Sequence, residues 1–174
     1  MKIDMPRIRP PFAALLLGLS GLAAVSSAWA CTRLVYHGAE GQVMTARSMD
    51  WKSDIVSNLW VLPRGMERTG QTGANTLRWT SKYGSVITSG YDISTTDGVN
   101  EAGLNANLLW LVESQYPAFD ASSKPGLTIA AWAQYVLDNF ATVAQAVAAL
   151  QEQPFTIVSD SVPGENRLTT LHLS

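Results

Sequence analysis

The chain has 174 residues, 47% of them hydrophobic and 15% charged, with a formal net charge of −2. Beyond residue 30 it carries nine Lys and Arg against thirteen Asp and Glu, which excludes the basic stripe a nucleic-acid footprint needs. Its one cysteine, Cys31, excludes an intrachain disulfide, and the 144 residues from Cys31 onward suffice for one domain with a real core.

Residues 1–30 read as a secretory leader. Lys2, Arg7 and Arg9 make a basic start, and Phe12 to Val25 is apolar apart from Gly18, Ser20 and Gly21. Ala28 and Ala30 then supply small residues at positions −3 and −1 of a cut before Cys31. The apolar run is shorter than the roughly 20 residues that span a bilayer, and no second run follows. The expectation is secretion without a stable membrane anchor. Cleavage there leaves Cys31 as the first residue, with a nucleophilic thiol and a free α-amine on the same Cα. Two other readings stay open. One is a lipid-anchored envelope protein of binding or structural type with an acylated Cys31, although such processing usually wants Leu at −3 and a small residue at −2, where this chain has Ala28 and Trp29. The other is an inert buried thiol.

After the leader, Cys31 to Tyr36 and Val43 to Arg47 read as strands of a hairpin around the turn His37-Gly38-Ala39-Glu40-Gly41. Ser57 to Leu62 alternates and stops at Pro63-Arg64-Gly65. Leu77 to Thr80 and Ser85 to Ser89 are further strands, Asp97 to Gly103 reads as a tight glycine-bearing loop, and Leu104 to Val112 is an apolar strand. Ser114 to Gly126, with Pro117 and Pro125, is a connector. Thr128 to Asn139 has helical periodicity, and Thr142 caps a second helix with Val143, Ala146, Val147 and Leu150 on one face. Phe155 to Val158 and Arg167 to Leu173 are strands flanking the turn Pro163-Gly164-Glu165-Asn166. Strands, a helical pair and strands again indicate a layered α+β domain. The last strand has no closing turn, so residues 31–174 are expected to be the N-terminal portion of a longer domain.

The hairpin brings Arg47 and Asp50 toward Cys31 despite separations of sixteen and nineteen residues. A nearby cation favours a thiolate, which Arg47 can supply. An α-amine titrates near about 7.7–8.0 and so can take a thiol proton close to neutrality. Asp50 can orient that amine by a charge-assisted hydrogen bond. The plainer reading of Arg47 and Asp50 is a surface ion pair of little energetic worth. Asn100 and Glu101 read as turn formers before catalysts. The two histidines, His37 and His172, offer neither a triad nor metal-ligand spacing, so no metal or cofactor is expected.

Cys31-Thr32-Arg33, Arg47-x-x-Asp50-Trp51, Pro63-Arg64-Gly65 and Asp97-Gly98-Val99-Asn100-Glu101-x-Gly103-Leu104 together resemble the choloylglycine hydrolase family, which contains conjugated bile salt hydrolases and penicillin V acylases. The resemblance covers essentially all of 31–174, including the Val162-Pro163-Gly164 turn. It implies an N-terminal-nucleophile (Ntn) hydrolase with a four-layer αββα sandwich, incomplete in this chain, and a homotetramer. It further implies that Cys31 is the nucleophile, that Arg47 stabilises its thiolate and that Asp50 positions the amine. The substrate would be a small-molecule linear amide of penicillin V, conjugated bile salt or N-acyl homoserine lactone type. Trp51, Leu59, Trp60 and Trp110 are the candidates to line its apolar pocket. Trp110 falls where the family often has Asn or Tyr near the oxyanion; its indole N–H is the only donor it has, which favours a wall role. A later Asn and Arg of the family pattern fall beyond Ser174, so an inactive remnant of the hydrolase is a further alternative.

Overall fold

The computed structural model describes residues 31–51, 53–111, 113–159 and 171–173. The leader and the 163–166 turn lie outside the described residues, as does the strand reading over 167–170. Eleven strands and two helices are described: β1 Arg33–His37, β2 Val43–Arg47, β3 Leu59–Leu62, β4 Glu67–Thr69, β5 Arg78–Thr80, β6 Ser85–Gly90, β7 Ser94–Asn100, β8 Asn105–Trp110, β9 Gly126–Thr128, α1 Ile129–Asn139, α2 Val143–Gln151, β10 Thr156–Val158 and β11 Leu171–Leu173.

The centre is a five-stranded antiparallel sheet in the order β11-β8-β7-β6-β3. Helix α1 lies on it. Its Ala133, Val136 and Leu137 close a core with Ile87, Leu104, Ala106 and Ala146. Leu137 is fully buried, and a side chain of that kind contributes about 1.5–3 kcal/mol. The β1–β2 hairpin, the β4–β5 hairpin and the parallel pair β9–β10 form separate two-stranded units. Helices α1 and α2 connect β9 to its parallel partner β10, with Gly126 opposite Thr156.

The structure corrects the glycine-bearing loop. Asp97 to Asn100 belong to β7, paired with Thr88 to Ser85 of β6. Gly98 is therefore a strand glycine lying under the helix. A Cβ there would stand 2.7 Å from both Ile87 Cγ2 and Leu137 Cδ1, so the residue serves close packing. The turn itself is only 101–103, where Gly103 takes φ +86°. Asn100 is buried and caps α1: its Nδ2 donates to the carbonyls of Leu137 (2.8 Å) and Phe140 (2.7 Å), while its Oδ1 accepts the amides of Ala102 and Leu104. Glu101 accepts from the Gly84 amide and pairs with Arg64, which ties the Pro-Arg-Gly and Asn-Glu-x-Gly motifs to each other.

Helix α2 starts as expected, with Thr142 Oγ1 accepting the Gln145 amide at 3.3 Å and Gln145 Oε1 accepting that of Ala141 at 2.9 Å. Its predicted apolar face is split. The row Ala146–Leu150 packs on the core, whereas Val143 and Val147, one row round the helix, are exposed.

Helix α1 also buries polar groups. Asp138 is 1% exposed and accepts Trp79 Nε1–H and Gln134 Nε2–H, each at 2.7 Å, with Arg68 Nε 3.6 Å away. Burial raises its carboxyl above the usual range against the opposing pull of those donors. Gln134 in turn accepts from Thr95 Oγ1 and donates to Ser85 Oγ, so the helix is fixed to β6 and β7 by hydrogen bonds as well as by packing.

Candidate active site

The β1–β2 hairpin pairs Arg33 with Arg47 at its open end, so Cys31, two residues before Arg33, sits beside the strand that delivers Arg47. Cys31 is half-buried and free. It opens onto a cavity of about 60 Å³ that Arg47, Met49, Trp51, Ile55, Tyr91, Thr96, Leu108 and Trp110 also line. Except for the Arg47 head group, the walls are chiefly apolar, and charge in such a site is screened less than in water.

Arg47 reaches from the hairpin into the main sheet. Its Nη2 donates to the Leu108 carbonyl at 2.8 Å and its Nη1 to that of Thr96 at 3.4 Å. Among the described residues its buried Nε has no hydrogen-bond partner. Two backbone carbonyls therefore orient the guanidinium at the cavity.

Asp50 is exposed and is not among the cavity-lining residues. Its Oδ2 accepts from Ser48 Oγ at 3.0 Å. The same Ser48 Oγ accepts the Thr32 amide at 3.2 Å, and the Ser48 amide donates to the Thr32 carbonyl at 2.9 Å. Asp50 is therefore linked to the residue after Cys31 through one hydroxyl.

A second tether uses Arg33. Its Nε donates to Asn107 Oδ1 at 2.7 Å, and Asn107 Nδ2 donates to Asp97 Oδ1. Asn107 is fully buried in β8, opposite Asp97 of β7. Satisfied buried networks of this kind fix geometry because each unpaired member is costly.

Of the four predicted pocket residues, Trp51 and Trp110 line the Cys31 cavity, their ring centroids 5.1 Å apart and their planes at 64°. Leu59 and Trp60 do not line it. Both are on the edge strand β3, where Leu59 is 73% exposed. Trp60 lines a different cavity, behind the β6–β7 turn, and its Nε1 donates to Ser89 Oγ at 3.2 Å. Sequence reasoning missed Met49, Ile55, Tyr91, Thr96 and Leu108. Thr96 and Leu108 hold Arg47 with carbonyl oxygens, which every residue type carries, so no residue pattern reveals them. Among the described residues, no three His, Cys, Asp or Glu side chains form a metal-binding group, and no helix is long and apolar enough to cross a membrane.

Residues 31–174 match the family model described as linear amide C–N hydrolases, choloylglycine hydrolase family. The chain is 53% identical over 178 residues to the penicillin V acylase of Pectobacterium atrosepticum, covering 97% of this chain and 46% of that protein. It superposes on the penicillin V acylase of Agrobacterium tumefaciens with TM-score 0.73 and 65% identity, over 81% of this chain and 41% of that one. A variant of the conjugated bile acid hydrolase of Clostridium perfringens shares the fold at TM-score 0.67 and 24% identity, over 83% of this chain and 44% of that one. The chain thus spans less than half the length of each of these relatives.

Proposed function

Because the chain belongs to the choloylglycine hydrolase family of linear amide C–N hydrolases and carries part of their Ntn-hydrolase fold, we propose that it cleaves a linear amide with Cys31 as nucleophile. The observation that carries this reading is the cavity that Cys31 shares with the Arg47 guanidinium and the Trp51–Trp110 pair. It places a thiol, a fixed positive charge and an aromatic wall together. The rest of the reading is mechanism.

Cleavage of the Ala30–Cys31 peptide bond on secretion to the periplasm exposes the Cys31 α-amine. That amine takes the thiol proton, and the sulfur attacks the amide carbonyl carbon. The Arg47 charge favours the thiolate. The tetrahedral intermediate collapses by breaking the C–N bond, and the proton held by the amine passes to the departing nitrogen. Water then attacks the thioester, its proton going to the amine and on to the sulfur, which releases the carboxylic acid and restores the thiol. In this mechanism Asp50 orients the amine, and its link through Ser48 to Thr32 is the contact that supports the role.

The cavity's 60 Å³ is well below the roughly 300–1,000 Å³ of whole-ligand pockets. It accepts the reacting end of a substrate with an apolar acyl group, and the remainder lies outside it. The relatives' names make penicillin V the first substrate to try and a conjugated bile salt the second; an N-acyl homoserine lactone is the third.

The test is the intact mass and N-terminal sequence of the full-length secreted protein, followed by turnover of the Cys31→Ser variant. A free N-terminal cysteine is expected, with hydrolysis abolished by the substitution. A mass increment of a diacylglycerol, or unchanged turnover in Cys31→Ser, overturns the reading.

A further inference from the structure

We infer that Tyr91 is a specificity-determining residue of this site, the post that holds Trp51 upright and thereby gives the cavity a preference for flat aromatic acyl groups; the inference rests on the amidohydrolase reading above. Tyr91 is half-buried and lines the Cys31 cavity. Its hydroxyl oxygen accepts the Trp51 Nε1–H at 3.1 Å and shares a hydrogen bond with Ser53 Oγ at 3.1 Å. Trp51 makes its edge contact with Trp110 from that anchored position. Three rings from three separate segments therefore form one wall, and the Tyr91 hydroxyl is the polar joint between them.

The backbone shows that Tyr91 is held there against its own preference. Tyr91 and Asp92 take φ +53° and +54° in the turn that joins β6 to β7. Ile93 N–H closes that turn on the Gly90 carbonyl at 3.1 Å. Turns of this hand are dominated by Gly, Asn and Asp, so Asp92 suits its position, whereas a bulky residue such as Tyr91 persists there only when its surroundings over-determine the conformation. Two sets of contacts do so. The Tyr91 amide donates to the Ile55 carbonyl at 2.6 Å, and Ile55 lines the same cavity. The Asp92 carboxylate accepts Asn58 Nδ2 at 2.8 Å and Ser89 Oγ at 2.7 Å. The turn is thus clamped from both sides, and the clamp aims the tyrosine ring into the pocket.

An aromatic acyl group packs on a fixed edge-and-face wall only if Trp51 does not swing. A flexible aliphatic chain adapts to either position. The decisive variant is Tyr91→Phe in the full-length protein, which keeps the ring and removes the joint. For a phenoxyacetyl amide, KM is expected to rise about three- to tenfold, the worth of one lost hydrogen bond. The kcat stays within about twofold, and KM for a straight-chain hexanoyl amide changes less than that. The Trp51 indole N–H resonance, assigned by its loss in Trp51→Phe, shifts or broadens in Tyr91→Phe. Asp92→Ala, which releases the turn from outside, moves KM for the aromatic amide in the same direction by a smaller factor. Equal KM values for both amides in Tyr91→Phe and wild type, or an unmoved Trp51 resonance, overturn the inference. Wild-type protein that cleaves neither amide overturns the amidohydrolase reading instead, and the indole resonance then decides by itself whether Tyr91 holds Trp51.

Discussion

The sheet-and-helix body around β6–β8 and α1 contrasts with the β1–β2 hairpin that bears the candidate nucleophile. The body buries Leu104, Ala106, Leu108, Ala133 and Leu137 almost completely and bonds its helix through Asp138, Gln134 and Asn100. The hairpin leaves Leu34 61% and Met44 63% exposed, and among the described residues its ladder pairs its own two strands alone. It is joined to the body by two arginines, Arg33 to Asn107 and Arg47 to the carbonyls of Thr96 and Leu108. Burial is concentrated in the body, and the proposed chemistry lies at the seam between the two. Substitutions on either side of that seam should separate the two properties.

The largest stability effect is expected deep in the body. Asp138→Ala removes the acceptor of Trp79 Nε1–H, one of the two acceptors of Gln134 Nε2 and the carboxylate beside Arg68, and should cost about 2–4 kcal/mol in chemical denaturation. The same residue gives a pH signature. Its folded carboxyl titrates above the ordinary value, so the folded state holds more protons than the unfolded chain between about 3.9 and the raised value. Its contribution is complete below about 3.9 and is lost as pH rises through the folded pKa. Asp138→Ala should remove that slope from the dependence of stability on pH; an unchanged slope assigns it to other groups.

At the seam, Asn107→Ala should cost less, about 1–3 kcal/mol, because one buried amide links Arg33 to Asp97. It should also lower kcat/KM, since the start of the hairpin loses its tether. A loss of stability with unchanged kcat/KM would mean that the Arg33 tether does not govern the position of Cys31. On the hairpin side, Ser48→Ala should change stability by less than about 0.5 kcal/mol, the usual range for an exposed position, yet reduce kcat about tenfold by unlinking Asp50 from Thr32. Equal turnover in Ser48→Ala and wild type would remove Ser48 from the site.

Much of this seam was legible in residue order. The hairpin turn at 37–41 and the span of β2 follow from turn residues and alternation, and they put Arg47 next to the start of β1. Both helices were legible from their 3.6-residue period and the Thr142 cap. The failures have physical causes. Gly98 looked like a turn residue because glycine marks both turns and close packing, and only the helix above it distinguishes them. Strand β4, Glu67–Thr69, and strand β9, Gly126–Thr128, are three residues long, too short to show alternation. Leu59 and Trp60 have the apolar character of pocket residues, yet β3 is the edge strand of the sheet and neither lines the Cys31 cavity. Tyr91 escaped notice because its turn lacks the Asn-Gly or Gly pattern by which such turns are read.

The way Arg47 is held has an evolutionary consequence. Its two acceptors are main-chain oxygens of Thr96 and Leu108, so drift in the side chains of β7 and β8 leaves the grip intact as long as the strands keep their course. The pocket's chemistry can therefore be rewritten at Trp51, Tyr91 and Trp110 while the cation beside the thiol stays put. On the proposed reading, a lineage built this way can change what it accepts without rebuilding how it reacts.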